Sequence, residues 1–235
     1  MGLQGREDPI RLWAPEGSRQ ILHDAVHLGV ERVPFDIEIH ELEPDGRVER
    51  DGYDIIAYRT KHGARSLGYA LAEHDRLGRF NPERARELGV PEGPLFGQLH
   101  RGKAVEVNGR IVGPEDVVGP ARKGRRIVYT GDTRPCRRTV QIARNAELLI
   151  HDATFGEDEA ERARSTFHST AREAAETARQ ASAQRLVQTH LSSRYADDPR
   201  QLEREARDVF PNTTVAYDGL EIEVPYPPDD EEVSR

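Results

Sequence analysis

From Arg125 onward the chain alternates short apolar runs with helical patterns, and this constrains its fold more than any other feature. Residues 127–130, 147–151 and 185–189 read as strands, and 139–144, 170–183 and 199–210 read as helices. That order implies a layered α/β architecture. Residues 215–216 and 220–224 are expected to add closing strands.

Upstream, residues 18–28 predict an amphipathic helix with Ser18 as N-cap, an apolar side of Ile21, Leu22, Ala25, Val26 and Leu28, and Gly29 as stop. Phe35, Ile37 and Ile39 alternate with Asp36, Glu38 and His40, which predicts a half-buried strand ended by the turn Pro44-Asp45-Gly46. Further strands are expected over 54–60 and 67–71. Between about Gly78 and Gly119 the texture changes to Gly, Pro and charged residues. A short helix is expected after Asn81-Pro82, and Asn108-Gly109 signals a hairpin between 105–107 and 110–112. This stretch offers few apolar residues to a core, so it reads as a long surface insertion. The acidic run Asp229 to Glu232 is read as disordered.

At 235 residues the chain suits one sizeable α/β domain or most of a larger one. It has no apolar run of the roughly 18 residues that span a bilayer and no basic-then-apolar leader, so the expected compartment is the cytoplasm. The single cysteine, Cys136, excludes an internal disulfide framework. The net charge of −8 argues against nonspecific nucleic-acid affinity. A local cluster, Arg122-Lys123-Gly124-Arg125-Arg126, can still bind phosphates, although it equally describes a solvated turn before a strand.

Three segments carry chemistry: Lys61-His62-Gly63, Tyr129-Thr130-Gly131-Asp132-Thr133 and Thr189-His190-Leu191-Ser192-Ser193-Arg194-Tyr195. Each puts a His or Asp just past an apolar strand, where α/β sheets present metal ligands and catalytic groups. Taken alone, Gly131-Asp132-Thr133 is better read as a turn in which Asp132 caps the next helix. A lone strand-end His is likewise more often structural. Their joint occurrence reverses both readings. His168 precedes Ser169-Thr170, either of which caps the long Ala-rich helix, so His168 stands where a helix N-terminus favours an anion. The bland alternative is a His held by its own helix start. His23, His27, His40, His74 and His100 show no ligand pattern.

With Phe167-His168-Ser169-Thr170 and His151-Asp152-Ala153-Thr154, these motifs and their order resemble ribonuclease Z of the metallo-β-lactamase superfamily, from Gly5-Arg6 and Leu12-Trp13-Ala14-Pro15-Glu16-Gly17, where the family has a glycine-rich turn, to Ala216-Tyr217-Asp218-Gly219-Leu220. The resemblance implies a metallo-β-lactamase-like αββα sandwich, N-terminally truncated, with an inserted flexible arm. It divides the chain into 1–77, an insertion at 78–119 carrying the arm, 120–226, and a tail at 227–235. It implies a dizinc endonuclease that removes the 3′ trailer from precursor tRNA, with His62 on one ion, Asp132 between both and His190 on the other. His168 would stabilise the scissile phosphate or protonate the leaving group. His151 and Asp152, the latter where the family usually has Glu, would orient the ligands. Gly93-Pro94-Leu95-Phe96 resembles the Gly-Pro motif near the arm that grips tRNA. A homodimer, no membrane association and no DNA substrate are implied.

The family's His-x-His-x-Asp-His cluster is absent from the sequence and is expected upstream of Met1. The polypeptide alone is therefore expected to have little or no nuclease activity. A small-ester hydrolase of the same fold and a noncatalytic tRNA-binding module are the competing readings.

Overall fold

A computed structural model describes residues 7–28, 35–63 and 65–227. The Gly5-Arg6 match, the Gly29 stop and the acidic run 229–232 lie outside the described residues. Contacts divide the chain into two units, residues 1–72 with 126–224, and residues 73–125 with 225–235.

The first unit opens with strand β1 (Ile10–Pro15) and helix α1 (Arg19–His27), then β2 (Ile37–Leu42), β3 (Arg47–Arg50), β4 (Tyr53–Arg59) and β5 (Leu67–Glu73). The second contains α2 (Pro82–Glu87), α3 (Pro94–His100) and the hairpin β6 (Val105–Val107) and β7 (Arg110–Val112). The first resumes with β8 (Arg126–Tyr129), α4 (Arg137–Ile142), β9 (Leu148–Asp152), α5 (Ala160–Ser165), α6 (Ala171–Ala181), β10 (Leu186–Thr189), α7 (Arg200–Arg207) and β11 (Thr213–Val215). A seven-stranded sheet runs in the order β11-β10-β9-β8-β5-β4-β3, and β1 and β2 form a separate parallel pair.

The expected layering is present. Strands β8, β9, β10 and β11 are mutually parallel, while β5 meets β8 antiparallel. Leu148 and Leu149 on β9 and Leu186 and Val187 on β10 are buried, as strands covered on both faces require. Helix α6 buries Ala171, Ala174, Ala175, Ala178 and Ala181, a stripe at helical spacing. Alanine favours the helix and lets it lie close to the core with Leu149, Leu186 and Leu202. Thr170 caps α6 by accepting from the Glu173 N–H, and the Glu173 carboxylate accepts from the Thr170 N–H. Close approach also explains Gly68 on β5, where a Cβ would lie 2.5 Å from the buried Tyr58 ring.

The helix expected over 18–28 forms as α1, although none of its side chains is buried and Ile21 is 71% exposed. Periodicity predicts the helix, whereas burial requires an opposing surface. Three expectations need correction. Residues 220–224 carry no strand, because alternation permits a ladder without supplying a partner. Residues 12–17 were read only as the family's glycine-rich turn, yet β1 runs to Pro15 before that turn begins.

The third concerns the insertion, which has its own core instead of little apolar content. Ala85, Val90, Leu99, Val105, Val112 and Val117 are buried together, with Phe80 and Phe96 packed against them. Its apolar residues are spaced too irregularly to show a period, and the fold gathers them. The local predictions there hold: Asn81 caps α2 by accepting from the Arg84 N–H, and Asn108 (φ +53°) and Gly109 (φ +76°) make the hairpin turn. Within this unit the guanidinium groups of Arg76 and Arg125 both lie over the Tyr226 ring, 3.6 and 4.2 Å from its centroid. Arg125 is also paired with Glu73, so the basic cluster is partly committed internally.

Candidate metal centre

Because β8, β9 and β10 are parallel, the loops leaving their carboxyl ends emerge on one edge of the sheet. Asp132 follows β8, Asp152 ends β9 and His190 follows β10. The loop after β4 contributes His62, and the loop before α6 contributes His168. Gly131 (φ +59°), Phe167 (φ +63°) and His190 (φ +60°) are left-handed. The latter two are conformations that L side chains rarely adopt, and such strain concentrates at functional sites.

Ligand-capable atoms of His62, Asp132 and His168 lie within 4.8 Å of one another, as do those of Asp152, His168 and His190. The His168 ring stacks on His190 with centroids 4.9 Å apart and is 4.7 Å from His62. Asp132 Oδ2 is 3.4 Å from His190 Nε2. The structure thus gathers all four sequence-derived residues. Gly93 and Pro94 belong to the other unit, where they open α3.

Hydrogen bonds set which nitrogen of each imidazole faces the cluster. His62 Nδ1 is 3.0 Å from the Phe167 carbonyl oxygen, which can only accept, so Nδ1 carries the proton and Nε2 a lone pair. Thr154 Oγ1 donates to Asp152 Oδ1 at 2.7 Å, which leaves it to accept from His190 Nδ1 at 2.8 Å. His168 Nδ1 donates to Asp152 Oδ2 at 2.8 Å. In neutral His190 the Nε2 lone pair therefore faces the Asp132 carboxylate with no hydrogen between them. Two electron-rich groups at that separation call for a cation.

Imidazole nitrogen and carboxylate oxygen are the donors that catalytic zinc sites use, so His62, Asp132 and His190 fit a metal. Asp152 is different. It is fully buried and accepts four hydrogen bonds, from the N–H groups of Thr133 and Thr154, the Thr154 hydroxyl and His168. Its lone pairs are used, and it orients its neighbours instead. Asp132 does not cap α4; Cys136 occupies that position.

His151 is fully buried, and its Nδ1 lies 2.7 Å from the Asp152 carbonyl oxygen. Burial pushes its pKa below the usual imidazole range, against weaker opposing effects from Asp152 and Glu173. It is neutral in the folded chain, whereas the unfolded chain gains a proton there below about pH 6.5. This contribution to stability is complete above that pH and lost as pH falls, with a slope approaching about 1.4 kcal/mol per pH unit. Urea unfolding between about pH 7 and 5 should show that slope, and His151→Gln should flatten it.

Sequence reasoning missed Thr154, Thr133, Arg134 and Ser169, which hold the cluster without belonging to it. The available signal was their position, each within two residues of a candidate site residue.

Residues 108–191 match the β-lactamase superfamily domain. The chain is 53% identical over 227 residues to a ribonuclease Z from Myxococcus xanthus, covering 96% of the chain and 74% of that protein. It is 52% identical to a ribonuclease Z from Gemmatimonas aurantiaca, covering 95% and 72%. Human tRNase Z, short form, superposes with a TM-score of 0.60 at 22% identity, covering 95% of this chain and 70% of that one. The metallo-β-lactamase fold protein YhfI from Bacillus subtilis gives 0.58 at 17% identity, covering 90% and 64%. The last two concern the fold: the chain has the metallo-β-lactamase fold. No described helix is long and apolar enough to cross a membrane. On the identity and coverage of its relatives, the chain belongs to the ribonuclease Z family.

Proposed function

We propose that the chain is the main part of a zinc-dependent endoribonuclease that removes the 3′ trailer from precursor tRNA. The observation that carries this reading is the convergence of His62, Asp132, His168 and His190 at one sheet edge, with imidazole orientations fixed by their partners. His62 and His190 would each serve one zinc ion and Asp132 would serve both. Bound there, the ions would supply positive charge to the scissile phosphate and make water more acidic. His168, braced by Asp152, gives a proton from Nε2 to the leaving 3′ oxygen, and the carboxylate stabilises the imidazolium before transfer.

These three ligands fall short of two four-coordinate ions. Residues 1–235 by themselves are therefore expected to cleave poorly, and the His-x-His-x-Asp-His segment of the family is expected to complete the centre. The insertion, with Gly93 and Pro94 at the start of α3, would grip the tRNA away from the cleavage site. A cytoplasmic homodimer fits the family.

The test is cleavage of precursor tRNA by the pure zinc-loaded chain, alone and joined to the remaining segment of the Gemmatimonas aurantiaca relative. Trailer removal by the joined protein only is the expected result, and removing residues 78–119 from it should abolish tRNA binding while sparing hydrolysis of a small phosphodiester. No cleavage in either form, with tRNA binding indifferent to chelator, would instead support a noncatalytic tRNA-binding module.

A further inference from the structure

The two residues after Asp132 make more connections around the cluster than any candidate ligand does. The Thr133 N–H donates to Asp152 Oδ2 at 2.8 Å, and the Thr133 carbonyl accepts from Ser169 Oγ at 2.5 Å. Thr133 Oγ1 accepts from the Lys61 N–H at 3.0 Å, while the Arg134 N–H donates to the Lys61 carbonyl at 3.0 Å. Both polar backbone groups of the residue before His62 are therefore held by this dipeptide. The Arg134 side chain reaches the third loop. Its Nη1 donates to the His168 carbonyl and to Glu173 Oε2, each at 2.6 Å, and its Nη2 donates to Glu173 Oε1. Only 13% of that side chain is exposed.

We propose that Arg134 is a positioning residue that sets the spacing of His62, Asp132 and His168. Its backbone ties the β8 loop to the His62 loop, and its guanidinium ties the same loop to the His168 backbone. A planar fork suits this task because one group bonds the carboxylate bidentately and the carbonyl at once. Glu173 is fixed in turn by the capping box of α6, so the fork is anchored to a rigid helix. Arg134 touches neither metal nor substrate in this scheme and acts through the residues it holds.

The inference rests on the metal-centre reading, and the experiment separates the two. Zinc affinity is measured by competition with a chromophoric chelator for the parent chain, Arg134→Ala, Arg134→Lys and Glu173→Gln, with melting temperature recorded alongside. Arg134→Ala should weaken zinc about 10- to 100-fold, the range seen when groups that orient metal ligands are removed. Arg134→Lys should recover only part of that loss, and added ethylguanidinium should restore affinity to the alanine variant. A structural role alone would lower the melting temperature of all three variants and leave zinc affinity at the parent value, which overturns the proposal. If Arg134→Ala does not fold, Arg134→Lys decides in the same way. Where the parent chain binds no zinc alone, the same variants are compared in the joined protein, and a joined protein that binds no zinc sinks the metal-centre reading together with this one.

Discussion

Asp132→Asn is expected to weaken zinc binding by about 100-fold or more and to abolish trailer removal by the completed protein, while the apo chain folds as before. The amide keeps the shape of the carboxylate and removes its charge. In the apo chain Asp132 stabilises little, because its side chain is 38% exposed and His190 lies 3.4 Å from it. The substitution removes an acceptor from a pair of facing acceptors, so the apo melting temperature should hold or rise slightly. The metal-bound form loses a charged ligand, and with it the stabilisation that zinc confers by mass action. Melting curves with and without zinc, for parent and variant, separate these contributions. An unchanged zinc-induced shift in Asp132→Asn would remove Asp132 from the centre.

The second large effect concerns His168. In the completed protein, His168→Ala should lower kcat by about 10²- to 10⁴-fold with zinc affinity and tRNA affinity near their parent values. The phosphate is still held when the proton donor is absent, so the deficit falls on the chemical step. Asp152→Asn tests the brace behind it. Its buried amide would place N–H groups against the N–H of Thr133 or Thr154, leaving donors unpaired at about 1–3 kcal/mol. It should therefore lower both stability and kcat, with a larger loss of stability than His168→Ala, which removes only one of the four donors to Asp152. Equal loss of zinc affinity in His168→Ala would make His168 a ligand and not the acid.

The sequence made the sheet legible where strands are buried on both faces, because continuous apolar runs such as Leu148-Leu149-Ile150 admit few alternatives. It made helix ends legible where side chains cap them, as Asn81 and Thr170 do. It was poor at burial. The apolar face of α1 and the scattered apolar residues of 80–118 look alike as composition, yet the first stays exposed and the second closes into a core. Only long-range contacts decide that. In the site, His62, Asp132 and His190 stood out as chemically capable types at strand ends, and His168 as one at a helix start. Thr154 and Arg134 did not, because a threonine or arginine has no distinctive spacing, and its role comes entirely from which distant groups meet it.

The separate core of the insertion has a consequence for cooperativity. Six buried residues around Leu99 and Val112 form a much smaller hydrophobic nucleus than the one built on Leu149, Leu186 and α6. Small nuclei open at lower free energy, so amide hydrogens of β6, β7 and α3 should exchange by local unfolding while those of β9 and β10 wait for global unfolding. The chain then carries two stabilities instead of one. Substitutions in the insertion can retune how often it opens without disturbing the sheet edge that carries His62, Asp132 and His190.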